Sequence, residues 1–378
     1  MFPSETTAET RLCYNKSKII QTKQDEHSKS NGISKNSNGI IKGNSSIDGD
    51  TLYDVYSNDH HENGKKQSYY FGQQLIWRNI IAITIFHVIV VYAYFTFPYR
   101  QRWKTAICAW LCAIVASFGV GAGVHRLWTH RSYKAKTPLR IILLCCYYSA
   151  GMNSIYNWVR DHRIHHKFSE TNADPHNSSR GFFFSHVGWL MMRKHPDVYK
   201  KGQQINMDDV TSDPVVAFGD KYFLPLKIFF CFILPTSIPV YIWNEDWYYA
   251  IMAQVFMRYA FILNATWSVN SVAHMFGWKP YDRSIAPVEN ILVSWSTGGE
   301  GWHNYHHVFP WDYKTSEFGH YPIDMSTIFI NTFAKIGWAY DLKQPSPDLV
   351  KSIVVKKGDR SLFEVPVQFN NFELSKSL

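Results

Sequence analysis

Apolar residues are concentrated in four stretches of the chain, and each stretch is long enough to cross a lipid bilayer as a helix. The four stretches cover residues 80–97, 105–124, 224–243 and 247–268. About 20 apolar residues span a bilayer, and a helix satisfies its own backbone hydrogen bonds there. Seven residues, 98–104, join the first two stretches as a hairpin turn. The pattern predicts an all-α membrane protein with four transmembrane helices.

Two other regions do not fit a membrane span. Residues 141–152 are apolar, but a stretch of this length is too short to cross and predicts a packed, interfacial or re-entrant helix. Residues 1–70 are rich in Ser, Asn, Lys and Gly. Because such a segment cannot bury enough apolar surface to offset its chain entropy, we expect a disordered polar tail. No apolar core follows Met1, so the pattern predicts no secretory signal peptide.

The charge balance narrows the class of partner. The formal net charge is +9, but the basic residues are dispersed around the apolar stretches, and no nucleic-acid-binding motif is present. A membrane surface or an anionic substrate is therefore the expected partner. The six cysteines do not have the spacing of a disulfide framework, and we interpret them as small apolar residues.

Histidines form three clusters between and after these stretches. The clusters are His125 and His130, then His162, His165 and His166, and finally His303, His306 and His307. Imidazole is the commonest protein ligand for metals and suits iron, copper, nickel and zinc. Eight imidazoles exceed the needs of one ion, so the count predicts two. Structural zinc sites use four ligands, often including Cys, and an open di-iron site fits the clusters better.

The spacing within each cluster indicates which histidines face the same way. In the second and third clusters the offsets of three and four residues place the rings on one face of a helix. His125 and His130 are five residues apart, which corresponds to about 140° on an α-helix. They therefore either approach from a helix end or bind different ions, and the spacing leaves both alternatives open.

The positions of the clusters relative to the four stretches place them on one side of the membrane. Two crossings separate the second cluster from the third, so the chain returns to the same side of the membrane. A shared metal centre requires this arrangement. Residues 125–221 contain fourteen Lys and Arg residues, and this favours the cytosolic side, with a cytosolic N-terminus. The basic residues of the first hairpin, Arg100, Arg102 and Lys104, argue in the opposite direction.

Four acidic residues flank the clusters, namely Asp161, Glu170, Asp174 and Glu300. A carboxylate often accepts the free ring N–H of a metal-bound histidine and thereby fixes its tautomer. We expect Asp161 and Glu300 to do so.

The segments around the clusters, His125–Ala135, Asn157–Thr171 and Gly299–Tyr313, resemble the three histidine boxes of membrane acyl-CoA desaturases, especially insect members. The resemblance covers about residues 71–345, which leaves 1–70 as the tail and 346–378 as a loosely matching C-terminal tail. It implies four spans with a cytosolic helical cap that holds a histidine-rich di-iron site.

The resemblance also implies a ligand set. It adds His274 as a ninth ligand, which the residues alone would suggest to be an isolated histidine at a helix end. It further implies that Asn270 reaches one iron through a water molecule.

The reaction implied is removal of two hydrogens from an acyl-CoA, with reduction of O2 to water. Electrons would come from NADH or NADPH through cytochrome b5 and its reductase, at the endoplasmic reticulum membrane. An unactivated methylene has no acidic proton, so a metal-based oxidant suits this chemistry, while the protein positions the chain and excludes water.

The resemblance assigns substrate contacts as well. Arg160, Asp161, Arg193 and Lys194 match positions that contact the CoA group, and Trp158 and Trp267 match residues that line the acyl tunnel. In related enzymes a bulky residue on the face of the second span caps the methyl end of the tunnel. Ala109 and Ala113 on this face therefore predict an open end and acceptance of longer chains.

The resemblance favours a Δ9 desaturase of saturated C16 and C18 acyl-CoA. The alternatives are a desaturase of another regiochemistry such as Δ11, a fatty acyl hydroxylase, and a non-enzymatic lipid-binding membrane protein.

Overall fold

The computed structural model describes residues 69–70, 72–316 and 324–364. These residues belong to one compact unit, Asn63–Leu378. The predicted N-terminal tail lies outside the described residues, apart from Tyr69–Tyr70.

The described chain is predominantly helical. The helices of its first half are α1 (Trp77–Thr96), α2 (Trp103–Phe118) continued by a π-helix (Gly119–Thr129), α3 (Thr137–Ser149), α4 (Ile155–Phe168), α5 (Phe182–His186), α6 (Pro196–Gly202), α7 (Asp208–Thr211) and α8 (Pro214–Lys221), with 3₁₀ turns at Ser178–Arg180 and Gly188–Leu190. Those of its second half are α9 (Phe223–Lys227), a π-helix (Ile228–Ile233), α10 (Leu234–Trp243), α11 (Trp247–Ile251), a π-helix (Met252–Met257), α12 (Arg258–Met275), α13 (Ile291–Thr297), α14 (His303–Val308), α15 (Met325–Lys335), α16 (Pro347–Lys357) and α17 (Ser361–Glu364).

Among the described residues, four short strands form two antiparallel pairs. Strand β1 (Tyr69–Tyr70) pairs with β2 (Gln73–Gln74), and β3 (Lys134–Ala135) pairs with β4 (Ala339–Tyr340). The second pair joins the segment after the first histidine cluster to the segment after α15.

Three helical segments of the described chain are long and apolar enough to cross a membrane, namely Trp77–Thr96, Trp103–Thr129 and Phe223–Trp243. They correspond to the first three predicted spans. The fourth predicted span, 247–268, is helical from Trp247 to Met275, but it is not among these three. Its polar residues, including Gln254, Arg258 and Asn264, lower its hydropathy. The fourth crossing therefore stays a prediction.

Most of the short apolar stretch 141–152 lies in α3, which ends at Ser149 and packs against neighbouring helices. Leu139, Leu143 and Tyr147 of this helix are fully buried in the main hydrophobic core. Gly119 allows the second span to approach α3 closely, since a Cβ there would lie 2.0 Å from the backbone nitrogen of Tyr147. Helix α3 is therefore packed against its neighbours, and its position relative to the membrane stays a prediction.

The charge inside the fourth stretch is satisfied by backbone carbonyls. Arg258 is buried and donates to the carbonyl oxygens of Ser149 at 3.0 Å, Gln254 at 3.1 Å and Cys231. A buried cation is tolerated only when such partners replace water. These bonds join α12 to α3 and to the third span, and so fix the helix that carries His274.

The C-terminal segment also reaches the histidine region. Val350 and Val354 of α16 are buried together with Tyr281, Tyr305 and Phe309. Tyr305 belongs to α14, so α16 supports the helix that contains the third histidine cluster.

Candidate metal centre

The nine histidines expected as ligands come together as two groups. His125, His130, His162, His166 and His306 form the five-histidine site, and His165, His274, His303 and His307 form the four-histidine site. Within each group one ring nitrogen per residue lies within 4.8 Å of all the others. The spatial grouping differs from the grouping in sequence, because the second and third clusters each contribute to both sites.

A π-helical turn brings the first cluster into one site. The backbone N–H of His130 donates to the carbonyl of His125 at 3.1 Å, which is the i→i+5 bond of a π-helix. The wider turn places residues five apart on the same side, and the two rings lie 4.9 Å apart. The structure therefore groups His125 and His130 in one site.

The second cluster is divided between the two sites by helix geometry. His162 and His166 are four residues apart on α4, and their Nε2 atoms lie 3.1 Å apart in the five-histidine site. His165 is offset by three residues from His162 and points into the other site. The helix face predicted from the spacing therefore carries rings of both sites.

The third cluster has the opposite arrangement. His303 and His307, four residues apart on α14, have Nε2 atoms 3.1 Å apart in the four-histidine site. His306 points into the five-histidine site, where its Nε2 lies 2.9 Å from that of His125. Helices α4 and α14 each supply histidines to both sites, so together they hold the two sites next to each other.

His274 completes the four-histidine site from the end of α12. Its Nε2 lies 3.1 Å from that of His303, and the residue is buried. Spacing alone did not identify this residue, because the nearest cluster begins 29 positions later in the chain. Only the resemblance to a family pointed to it.

Three carboxylates hold rings of the two sites through Nδ1. The pairs are His125 with Glu300 at 2.8 Å, His165 with Asp174 at 2.9 Å, and His274 with Glu170 at 2.8 Å. An Nδ1–H that donates to a carboxylate leaves Nε2 as a lone pair for a metal and increases its basicity. The expectation for Glu300 is confirmed, and Glu170 and Asp174 have the same role.

The expectation that Asp161 also holds a histidine is wrong. Its carboxylate accepts from Lys194 and lies 3.6 Å from the guanidinium of Arg160. Successive residues of a helix point about 100° apart, so Asp161 faces away from the ring of its neighbour His162. The three residues instead form one charged cluster beside the centre.

The geometry of the rings fits metal coordination. Because His125 donates its Nδ1–H to Glu300, its Nε2 is a lone pair that faces Nε2 of His306 at 2.9 Å. Two imidazoles bound at right angles, each about 2.1 Å from a metal, have nitrogens about 3.0 Å apart. The buried Nε2 atoms of His130 and His165 have no hydrogen-bond partner among the described residues, as expected of metal-facing atoms.

Burial keeps several of the imidazoles in the neutral form that binds metals. Desolvation lowers the pKa of His162, His166 and His306 well below its usual value, and neighbouring rings lower it further. Burial opposes the ionised form of Glu300, but Arg126 and His125 outweigh it and lower the pKa of Glu300 to about 2. Neutral rings with ionised carboxylates behind them are what a cationic centre requires.

The residues expected at the CoA group and the tunnel lie in two regions. Trp158 stacks on His162 with ring centroids 4.8 Å apart, which places it directly beside the five-histidine site. Lys194 joins the charged cluster, and the backbone of Arg193 bonds to the segment before α1, through its N–H to Gln74 at 2.9 Å and its carbonyl to Gln73 at 2.6 Å.

The other expected substrate contacts lie among the apolar helices. Trp267 is buried on α12, and its ring centroid is 5.9 Å from that of His186. Ala113 packs with Ala150 and Ile262, and Ala109 packs on a separate cluster that includes Phe97 and Ala253. Asn270 is half-buried on α12, one turn before His274, so both residues share a helix face.

Comparisons with known proteins identify the family. The model of the fatty acid desaturase family matches residues 101–321, a range that includes all nine histidines. The chain belongs to the fatty acid desaturase family.

Its relatives include an acyl-CoA Delta-9 desaturase of Acheta domesticus, 52% identical over 79% of this chain and 83% of the relative. An acyl-CoA Delta(11) desaturase of Spodoptera littoralis is 48% identical over 76% of the chain and 84% of the relative. A stearoyl-CoA desaturase of Sus scrofa is 48% identical over 76% and 80%.

Proposed function

We propose that this member of the fatty acid desaturase family is an acyl-CoA desaturase that introduces a cis double bond at Δ9 of saturated C16 and C18 acyl-CoA. The observation that supports this most directly is the pair of adjacent histidine sites in a chain whose relatives are acyl-CoA desaturases. In the reaction two neighbouring methylenes lose two hydrogens, and O2 takes up these with two electrons and two protons to give two waters.

The centre is proposed to hold two iron ions. One would be bound by the five-histidine site and the other by the four-histidine site, with Asn270 acting through a water molecule. When bound, the irons supply the oxidising chemistry that an unactivated C–H bond needs. The protein contributes neutral imidazoles, fixed in one tautomer by Glu300, Asp174 and Glu170.

The cationic residues beside the centre are proposed to bind the CoA group. Arg160, Arg193 and Lys194 suit its phosphates, since guanidinium and ammonium groups are the usual phosphate partners, and Asp161 holds Lys194 in place. From there the acyl chain would pass Trp158, which stacks on His162, and continue to Trp267. Buried aromatic walls exclude water from the reacting carbons.

The protein is proposed to reside in the endoplasmic reticulum membrane with four crossings. The three apolar helices and the segment 247–268 would cross, and both termini and the centre would face the cytosol. This arrangement gives cytochrome b5, with its NAD(P)H-dependent reductase, access to the centre as electron donor.

A Δ11 product is the second candidate. The Spodoptera littoralis relative is named for this position and is nearly as similar to the chain as the Δ9 relative. The histidine sites do not encode the distance from the thioester to the reacting carbons, because that distance is set by the tunnel.

Expression in a yeast strain without its own desaturase tests the proposal. The wild-type chain should restore growth and produce C16 and C18 monoenes, and mapping with dimethyl disulfide should locate the bond at carbon 9. The His165→Ala variant should produce none at an equal protein level, whereas His61→Ala, in the polar tail, should behave as wild type. Full activity of His165→Ala would contradict the enzyme assignment. A bond at carbon 11 would establish the second candidate, and an alcohol would indicate a hydroxylase.

A further inference from the structure

A buried arginine lies directly behind the five-histidine site. Arg126 follows His125 in the π-helix and is fully buried. Its Nη1 donates to the carbonyl of Tyr313 at 3.0 Å and to the hydroxyl of Thr327 at 2.8 Å. Its Nη2 donates to Glu300 at 2.8 Å and to Asp324 at 3.1 Å. One guanidinium thus joins three separate segments of the chain.

Glu300 is held from both sides. Its Oε2 accepts from Nδ1 of His125, and its Oε1 accepts from Arg126, both at 2.8 Å. The space for this carboxylate depends on Gly121, because a Cβ there would lie 2.7 Å from Oε1. The direction of the His125 ring is therefore set by a carboxylate whose own direction is set by Arg126.

The carboxylates of the four-histidine site are held differently. Asp174 accepts from the backbone N–H groups of Glu170 at 3.0 Å and His176 at 2.9 Å. Glu170 accepts from the hydroxyl of Ser178 at 2.8 Å and the N–H of Ser179 at 3.0 Å. Among the histidine-bonded carboxylates of the described chain, only that of the five-histidine site is bonded by a cationic side chain other than a histidine.

We propose that Arg126 is a positioning residue for the five-histidine site alone, acting through Glu300 on the tautomer and direction of His125. The inference rests on the proposed di-iron function. Without the guanidinium, Oε1 of Glu300 and the carboxylate of Asp324 lose a buried charged donor, and Glu300 is free to turn away from His125. The ring can then place its proton on the nitrogen that faces the site, which weakens metal binding.

The experiment measures iron in the purified full chain. Wild type and the variants Arg126→Met and Arg126→Lys are loaded with ferrous iron without oxygen, then dialysed against graded chelator, and iron per chain is determined. His130→Ala and His274→Ala serve as references for loss of the five- and four-histidine sites, distinguished by Mössbauer spectra. Arg140→Met is the matched control, since Arg140 pairs with Asp213 at 2.9 Å, a carboxylate outside both sites.

Replacing a group that orients a metal ligand lowers affinity by about 10- to 100-fold. Arg126→Met should therefore lose one iron at a chelator concentration at least about 10-fold lower than wild type, with the spectrum of His130→Ala. Arg126→Lys should show a smaller shift, because it keeps the charge but cannot reach all four acceptors. The affinity lost in Arg126→Met with Glu300→Gln should be less than the sum of the two single losses, as expected of residues that act as one unit.

Two results would overturn the inference. One is that folded Arg126→Met binds both irons with wild-type affinity. If Arg126→Met does not fold, the same result in folded Arg126→Lys would count. The other is evidence that Arg126 is a general structural residue. Such evidence would be an equal loss of iron affinity at both sites, or the failure of both Arg126 variants to fold. If the reference variants also keep two irons, the proposed function itself fails rather than this inference.

Discussion

Asp174 offers a quantitative test of how the four-histidine site is built. Its side chain is fully buried and accepts from Nδ1 of His165 at 2.9 Å. Burial opposes its ionisation, but His165 and further hydrogen bonds outweigh that effect and lower the pKa of Asp174 to about 2. Compared with an ordinary value near 4, and at about 1.36 kcal/mol per pH unit, ionised Asp174 contributes roughly 2–3 kcal/mol to stability.

Asp174→Asn should remove most of this contribution from the metal-free protein. In wild type, the backbone N–H of Glu170 donates to Oδ2 of Asp174 at 3.0 Å. In the variant the amide oxygen can still accept from His165, but the amide NH2 then faces the N–H of Glu170, and two donors meet. A carboxylate whose pKa is lower in the folded state than in the unfolded state stabilises the fold at pH values above the unfolded-state pKa. This contribution is lost as pH falls from about 4 toward 2. The difference between wild type and variant should therefore shrink below pH 4. Against the effect of burial, Asp174 also raises the pKa of His165, so the difference should shrink again as pH rises through the folded pKa of His165.

The assay is thermal and denaturant unfolding of metal-free protein in detergent at pH 7 and pH 3.5. Asp197→Asn is the matched control, since Asp197 also lies near a histidine, at 3.5 Å from His195, but its side chain is 47% exposed. Exposed pairs of this kind contribute at most about 1 kcal/mol. A loss of stability in Asp174→Asn no larger than that in Asp197→Asn would refute the reasoning.

Three further predictions concern the substrate and the scaffold. Ala113→Tyr should shift turnover from 18-carbon toward 14-carbon acyl-CoA if this face lies along the tunnel, and an unchanged preference among 14-, 16- and 18-carbon substrates would contradict it. Lys194→Ala should raise KM for acyl-CoA by about 10-fold or more, since a hydrogen bond to a charged group contributes about 1.5–3 kcal/mol, whereas an effect on kcat alone would exclude a CoA contact. Burial raises the pKa of Asp220, which accepts from the N–H groups that begin α4, to about 6. Wild type should therefore gain stability relative to Asp220→Asn as pH falls from about 6 to 4, and a pH-independent difference would rule this out.

The sequence predicted the helical framework well where apolar length decides the structure. The first span was expected over 80–97 and occupies Trp77–Thr96. The second was expected to end at residue 124, but its helix continues to Thr129. That extension is π-helical, and an i→i+5 backbone pattern has no counterpart in the spacing of apolar residues. It is this extension that brings His125 and His130 together.

The histidines of the two sites were predictable where they are close in sequence, and their division into two sites was not. Spacing on a helix shows that the rings of His162, His165 and His166 point in similar directions. Which of them belong to the same site depends on the rings that the facing helix α14 contributes. The carboxylates were harder to predict. Asp161 is adjacent to a ligand yet pairs with Lys194, whereas Asp174 reaches back nine residues to His165. Only the loop that follows α4 determines this contact.

The way the two sites share helices has a consequence for how each can be tuned. Because α4 and α14 supply ligands to both sites, a shift of either helix changes both sites together. The residues behind the rings are specific instead, since Glu300 bonds only a ring of the five-histidine site, and Asp174 bonds only one of the four-histidine site. A change in the metal affinity of one site alone must therefore come from the carboxylates that bond its rings and from the residues that hold those carboxylates. In the five-histidine site, Arg126 connects Glu300 to the segments that contain Tyr313, Asp324 and Thr327.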